Sequence, residues 1–338
     1  MSALGPIIAA QIRRFGAMSI ADYMTLCLLH PEHGYYTTQN ALGRAGDFTT
    51  APEISQMFGE LLGLALAQAW LDQGSPVPFI LAEPGPGRGT LMADILRATA
   101  RVPGFREAAD IHLIEASPLM RDAQRSRLAG NSVVWHDRIE DLPGGPLFLV
   151  ANEFFDALPL RQYIRGKDGW QERVIGLDGD RLTYGLGPPL AVDALGLGGK
   201  KAAIGDLVET SPAAQAIAGE IARRIRDHGG VAIIVDYGAW GSGWHTFQAI
   251  RAHEKTDPLA HPGNSDLSAH VDFSALARAA KAAKDVAFAG PVEQGALLER
   301  LGIAHRSNRL AQEMSGKALE AHRAALRRLT HGDEMGSL

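Results

Sequence analysis

The sequence predicts a doubly wound α/β fold, and three observations carry that expectation. Five short apolar runs, "FILAE" (79–83), "IHLIEA" (111–116), "SVVWH" (132–136), "PLFLVAN" (146–152) and "VAIIVDYG" (231–238), are continuous rather than alternating, as strands covered on both faces are. Segments of helical period follow most of these runs, which favours parallel strands joined by crossovers. The first run enters the turn "EPGPGRGT", with glycines at 85, 87 and 89 just ahead of a helix, where open α/β sheets bind ligands.

In chain order, residues 4–30 read as two helices, with Ser19 as N-cap of "IADYMTLCLLH" and His30-Pro31 as its close. An irregular segment rich in Gly, Thr and aromatic residues follows. The stretch "ISQMFGELLGLALAQAWLDQG" then reads as one amphipathic helix ending at Gly74. Helices are expected at 90–101 and 117–129, after the first and second strands. Residues 153–230, between the fourth and fifth strands, far exceed the dozen or so that a crossover needs. They contain "PLRQYIR", "GWQERVIGL" and "RLTYGL", separated by the turn signals "GKDG" and "LDGD", which predict an inserted antiparallel β meander. A glycine-rich stretch (186–205), a helix at 212–228, a second insertion at 239–272 and a helix at 273–284 complete the reading. The expected organisation is an N-terminal helical and lid segment, 1–75, and a core, 76–338, with insertions at about 157–210 and 239–272.

Composition excludes some functions. The 33 basic and 38 acidic residues leave a net charge of −5, without the basic footprint of a nucleic-acid binder. The single cysteine, Cys27, rules out an intramolecular disulfide and suits a reducing compartment; inside "MTLCLL" it reads as a core thiol rather than a nucleophile. With no signal-peptide pattern and no run long enough to span a membrane, the expectation is a soluble, cytoplasmic bacterial protein without membrane insertion.

The glycine turn narrows the ligand. Its row reads E-x-G-x-G-x-G from Glu83, whereas a dinucleotide fingerprint reads G-x-G-x-x-G. Glu83 would repel a pyrophosphate but attract an ammonium or sulfonium, which favours S-adenosylmethionine over a nicotinamide dinucleotide. Gly85, Gly87 and Gly89 allow close backbone approach, and the helix opening at Thr90 suits the donor's carboxylate. Glu115, ending the second strand, is placed to accept from ribose hydroxyls. Asp137 can accept from the adenine amino group, although His136 and Asp137 read equally well as loop residues.

The fourth strand ends in "NEFFDALP", where three polar groups and two aromatics make a poor packing sequence but a good site. Asn152 offers a carbonyl acceptor, and Glu153 and Asp156 can hold a cation by charge-assisted bonds, unless one of them caps the following turn.

The strings "GYYTTQNALGRAGDFTTAPEISQMFGE", "EPGPGRGTLMADILR", "NEFFDALP" and "SAHVDFSALA", in this order, closely resemble the MidA-like family of S-adenosyl-L-methionine-dependent methyltransferases. The likeness runs from about residue 7 to 336. It implies a class I methyltransferase fold, Rossmann-like, with an N-terminal extension folding over the donor site. Gly46, Asp47 and Phe48 would belong to that lid, with Ser55 and Gln56 near the donor. The family's mitochondrial members are complex I assembly factors that methylate an arginine on the 49-kDa core subunit. The resemblance therefore implies a protein-arginine N-methyltransferase with a complex I subunit as partner, and leaves a homodimer open. Catalysis would fall to Asn152, Glu153 and Asp156, with Asp47 from the lid; His270 is a candidate proton acceptor. A small-molecule methyltransferase and a donor-binding assembly factor without catalysis are the rival expectations. Family members usually continue past "MGSL" with a short apolar strand, so the expectation is either a shortened chain or a natural variant with an exposed sheet edge.

Overall fold

Continuous apolar strands can be covered only if helices lie on both of their faces, and the chain builds that arrangement. The computed structural model describes residues 2–38, 49–190, 202–241 and 245–337. They divide into two compact units, one formed by Met1–Ala41, Asp156–Ala216 and Gly238–Leu276, the other by Leu42–Phe155, Ile217–Tyr237 and Ala277–Leu338.

The second of these units holds the central sheet. Its five strands lie in the order Gly230–Val235, Leu147–Asn152, Phe79–Pro84, Ala109–Ile114, Val133–His136, and every pairing is parallel. All six residues of Phe79–Pro84 and of Leu147–Asn152 are buried, Glu83 and Asn152 near their carboxyl ends included. The helices Gln56–Asp72 and Thr90–Thr99 approach closely because of two glycines. A Cβ on Gly59 would lie 2.6 Å from Asp94 Cβ, and one on Gly63 2.9 Å from Ile95 Cα. Trp70, Phe79, Phe105 and Phe148 interlock below, with ring centroids 4.9–5.8 Å apart, in the edge-on and tilted geometries aromatic quadrupoles prefer. The C-terminal helices Gln294–Arg300, Ile303–Ala311 and Gly316–Thr330 add Leu298, Ile303 and Leu329 to the same core. Arg97 and Arg306 both bond the buried Glu60 carboxylate, Arg306 Nε at 2.7 Å. Such pairing is what permits a carboxylate there.

Unit one carries the expected meander. Arg161–Arg165, Trp170–Asp178 and Arg181–Leu190 pair antiparallel in succession, and Leu207–Thr210 and Met18–Ser19 complete the sheet. Ser19 caps the helix Ile20–Leu29, accepting the Asp22 N–H at 3.0 Å. The second insertion, to which the sequence assigns no strands, pairs Gln248–Arg251 with both Glu254–Thr256 and Asp266–Ser268. These strands are too short to leave a clear period of two. A further difference concerns the helix expected to begin at "ISQM": the chain breaks at Ser55, whose extended backbone (φ −157°) separates Ala51–Ile54 from Gln56–Asp72.

Candidate active site

The carboxyl end of the strand Phe79–Pro84 delivers Glu83 into the interior, 3% exposed. Burial pushes its carboxyl up to about 8, against a stabilising backbone bond from Met92, with the nearby Glu115 adding to the rise. Its Oε2 is buried and meets no hydrogen-bond donor among the described residues. Gly85, Gly87 and Gly89 then take φ of +60°, +51° and +78°, a region open to glycine and costly for branched residues. Gly89 is the N-cap of the helix Thr90–Thr99, and no side-chain bond caps it there. The Gly85 N–H donates to Ile114 O at 2.9 Å, which ties the turn to the neighbouring strand.

Glu115 follows that neighbouring strand. Its Oε1 accepts the Ser117 N–H at 2.8 Å and its Oε2 accepts Gln124 Nε2 at 3.0 Å. Burial is the main cause raising its pKa, opposed by these bonds. Gln124, 0% exposed, also donates to Gly87 O at 2.7 Å and accepts Trp135 Nε1 at 2.8 Å. One amide therefore fixes both the glycine turn and the carboxylate beside it.

The second turn follows the strand Leu147–Asn152. Asn152 is buried; its Nδ2 donates to Glu153 Oε1 at 3.2 Å, while its Oδ1 meets no donor among the described residues. Glu153 has φ +47° and receives the Ala51 N–H at 3.1 Å on Oε1. Its own N–H donates to Val235 O at 2.9 Å. The ring of Phe154 lies against the glycine turn: a Cβ on Gly85 would come 2.8 Å from Phe154 Cδ2.

Of the residues singled out from sequence, Glu83, Gly85, Gly87, Gly89, Glu115, Asn152 and Glu153 are brought to the ends of adjacent parallel strands in one unit. Asp137 is exposed and paired with Arg121 at 2.6 Å, and Arg121 also donates through Nε to Glu115 O at 2.8 Å. Ser55 caps a helix by accepting the Met57 N–H at 3.3 Å, and Gln56 is exposed. Asp156 belongs to the other unit, where its carbonyl accepts the Ala269 N–H at 2.9 Å. His270, in that unit too, is exposed and donates its N–H to Thr246 Oγ1. Gly46, Asp47 and Phe48 lie outside the described residues. Sequence reasoning missed Gln124 and Asp236. For Asp236 the local signal was a polar residue among apolar ones, in "VAIIVDYG"; Gln124, in the polar run "MRDAQRSR", carried none.

A parallel sheet whose strand ends gather a glycine turn, a buried acid with an unmet acceptor and a second acid one strand over defines a doubly wound enzyme that binds a nucleoside-bearing cation. The particular family follows from comparison: the model for a family of S-adenosyl-L-methionine-dependent methyltransferases matches residues 61–292, and the chain belongs to that family. Its cofactor is S-adenosyl-L-methionine, and a buried carboxyl whose Oε2 meets no donor among the described residues, beside a turn of positive-φ glycines, fits a cationic ligand of that kind. Among curated proteins, it is 36% identical to the mitochondrial protein arginine methyltransferase NDUFAF7 of Xenopus tropicalis, over 96% of this chain and 82% of that one. The human protein of the same name is 35% identical, over 87% and 72%. A crystal structure of a Burkholderia thailandensis protein bound to S-adenosyl-homocysteine superposes with a TM-score of 0.85 at 28% identity, covering 99% of this chain and 90% of that one.

These names correct the expected cytoplasmic location, because the frog, fly and human relatives are mitochondrial proteins. The physical reason is that a single buried cysteine and an acidic balance suit any reducing compartment and do not single out the cytoplasm. No described helix is long and apolar enough to cross a membrane.

Proposed function

We propose that this chain methylates an arginine of a protein acceptor, the 49-kDa core subunit of respiratory complex I, and thereby supports assembly of that complex. The names of the relatives support the arginine, and the family resemblance supports the subunit. The observation that carries the reading is a pair of buried oxygens that meet no donor among the described residues, Glu83 Oε2 and Asn152 Oδ1. A buried acceptor without a partner costs free energy until a ligand supplies the hydrogen.

S-adenosylmethionine supplies an electrophilic methyl group on a sulfonium. Glu83 holds its α-ammonium, the helix N-terminus at Thr90 its carboxylate and Glu115 its ribose. Glu153 and Asn152 receive the guanidinium, orienting one nitrogen and keeping the charge on the others. A guanidinium is protonated at any physiological pH, so the attacking nitrogen must shed a proton, to solvent, as its bond to the methyl forms and S-adenosylhomocysteine leaves. The Glu153 carboxylate favours this by holding the positive charge away from that nitrogen. Ser55, Gln56 and Asp137 border the donor. A homodimer belongs to the same reading and is read by sedimentation of the purified chain.

Co-expression with the 49-kDa subunit, followed by mass spectrometry of its arginines, tests the proposal. Methylated arginine is expected with the wild-type chain and none in its absence. No methylation in either case would move the weight to a small-molecule acceptor or to assembly without chemistry.

A further inference from the structure

The polypeptide carries a buried carboxylate that the proposed chemistry does not use. Asp236, 2% exposed, follows the strand Gly230–Val235, neighbour of the strand that ends at Asn152. Its Oδ2 accepts the N–H groups of Phe155 at 2.8 Å and Phe154 at 3.1 Å, and its Oδ1 accepts the Tyr237 N–H at 2.8 Å. Glu153, at φ +47°, turns the two following N–H groups to one side, making a concave pair of donors that Asp236 fills. A non-glycine residue in that region persists only when its surroundings over-determine it. Here they do: Val235 O holds the Glu153 N–H, Asp236 holds the next two, and the Phe154 ring rests on Gly85.

We infer that Asp236 is the positioning residue of the acceptor turn: it holds Glu153 in the geometry that sets the rate of transfer, and contributes little to donor binding. The inference rests on the reading that Glu153 faces the acceptor. A carboxylate is suited to the task because it can accept three N–H groups on two oxygens, whereas an amide brings one oxygen and a competing donor. Asp236→Asn therefore keeps the Phe154 and Phe155 bonds and sets an NH2 group against the Tyr237 N–H. Asp236→Ala abandons all three.

The test compares wild type, Asp236→Asn and Asp236→Ala by calorimetry with S-adenosylhomocysteine, by kcat and KM for the purified 49-kDa subunit, and by amide exchange. The expected result is a kcat lowered about tenfold in Asp236→Asn and about 100-fold in Asp236→Ala, with KM and donor Kd each within about threefold. Exchange at residues 153–155 should quicken by about tenfold or more in the alanine variant, with the central strands still protected. Two results would overturn the inference: kcat within about twofold of wild type in both folded variants, or loss of activity accompanied by loss of protection across the sheet. If the wild type itself transfers no methyl group to the subunit, the functional reading fails. Exchange at 153–155 then decides alone whether Asp236 holds the turn.

Discussion

The strand Phe79–Pro84 runs into a turn with glycine at each positive φ, whereas its neighbour Leu147–Asn152 runs into one with a glutamate there. The first turn must let a ligand approach the backbone, so side chains are removed from it. The second must present a carboxylate, so it accepts a strained residue and holds it from outside. Each turn is fixed by one distant, buried polar side chain, Gln124 for the glycines and Asp236 for the glutamate. With the first turn serving the donor and the second the acceptor, as proposed, mutation is expected to separate the two sites.

The largest effect is expected where the donor turn is blocked. Gly87→Val places a branched side chain at φ +51° beside the donor, and donor affinity should fall by about 100-fold or more, read by calorimetry. The fold should survive, because the strands beneath are untouched.

Next comes the amide that ties the donor side together. Gln124→Leu leaves Gly87 O, Glu115 Oε2 and Trp135 Nε1 without this partner in a buried place. A loss of about 2–4 kcal/mol of stability is expected in urea unfolding, with weaker donor binding. If stability holds but binding falls, Gln124 serves the ligand alone and the comparison sharpens.

A pH-dependent effect is expected at Glu83. With the folded carboxyl raised from 4.5 to about 8 by burial, the free chain binds more protons than the unfolded one between those values. The group's contribution to stability is therefore full below 4.5 and is lost as pH rises towards about 8, where the folded carboxyl ionises. Glu83→Gln removes that loss, so its thermal midpoint should rise relative to wild type as pH climbs across this window. Donor binding reverses the preference, since an ammonium favours the charged carboxylate and releases the proton. Wild-type affinity should increase with pH up to about 8, by as much as tenfold per pH unit, and the glutamine variant should show no such slope.

Much of the fold was legible in the sequence because its signals are local. Unbroken apolar runs gave the parallel strands, and "GKDG" and "LDGD" marked the meander's turns. The glycine turn was legible for the same reason, since positive φ selects glycine where it occurs. The means of holding the turns was not. Gln124 acts on Gly87 from 37 residues away and Asp236 on Phe154 from 82, distances at which only the folded sheet brings partners together. Nor does a sequence show that Arg121 claims Asp137, or that Ser55 ends one helix and caps the next.

Glu153→Gln tests the separation of the two turns most directly. The amide keeps an oxygen for Ala51 and loses the charge that orients a guanidinium. S-adenosylhomocysteine affinity by calorimetry and labelled-methyl transfer to the 49-kDa subunit are measured on one preparation. Affinity should stay within about threefold of wild type while transfer falls by about 100-fold. Transfer at the wild-type rate, or a parallel loss of donor affinity, would contradict the assignment of Glu153 to the acceptor.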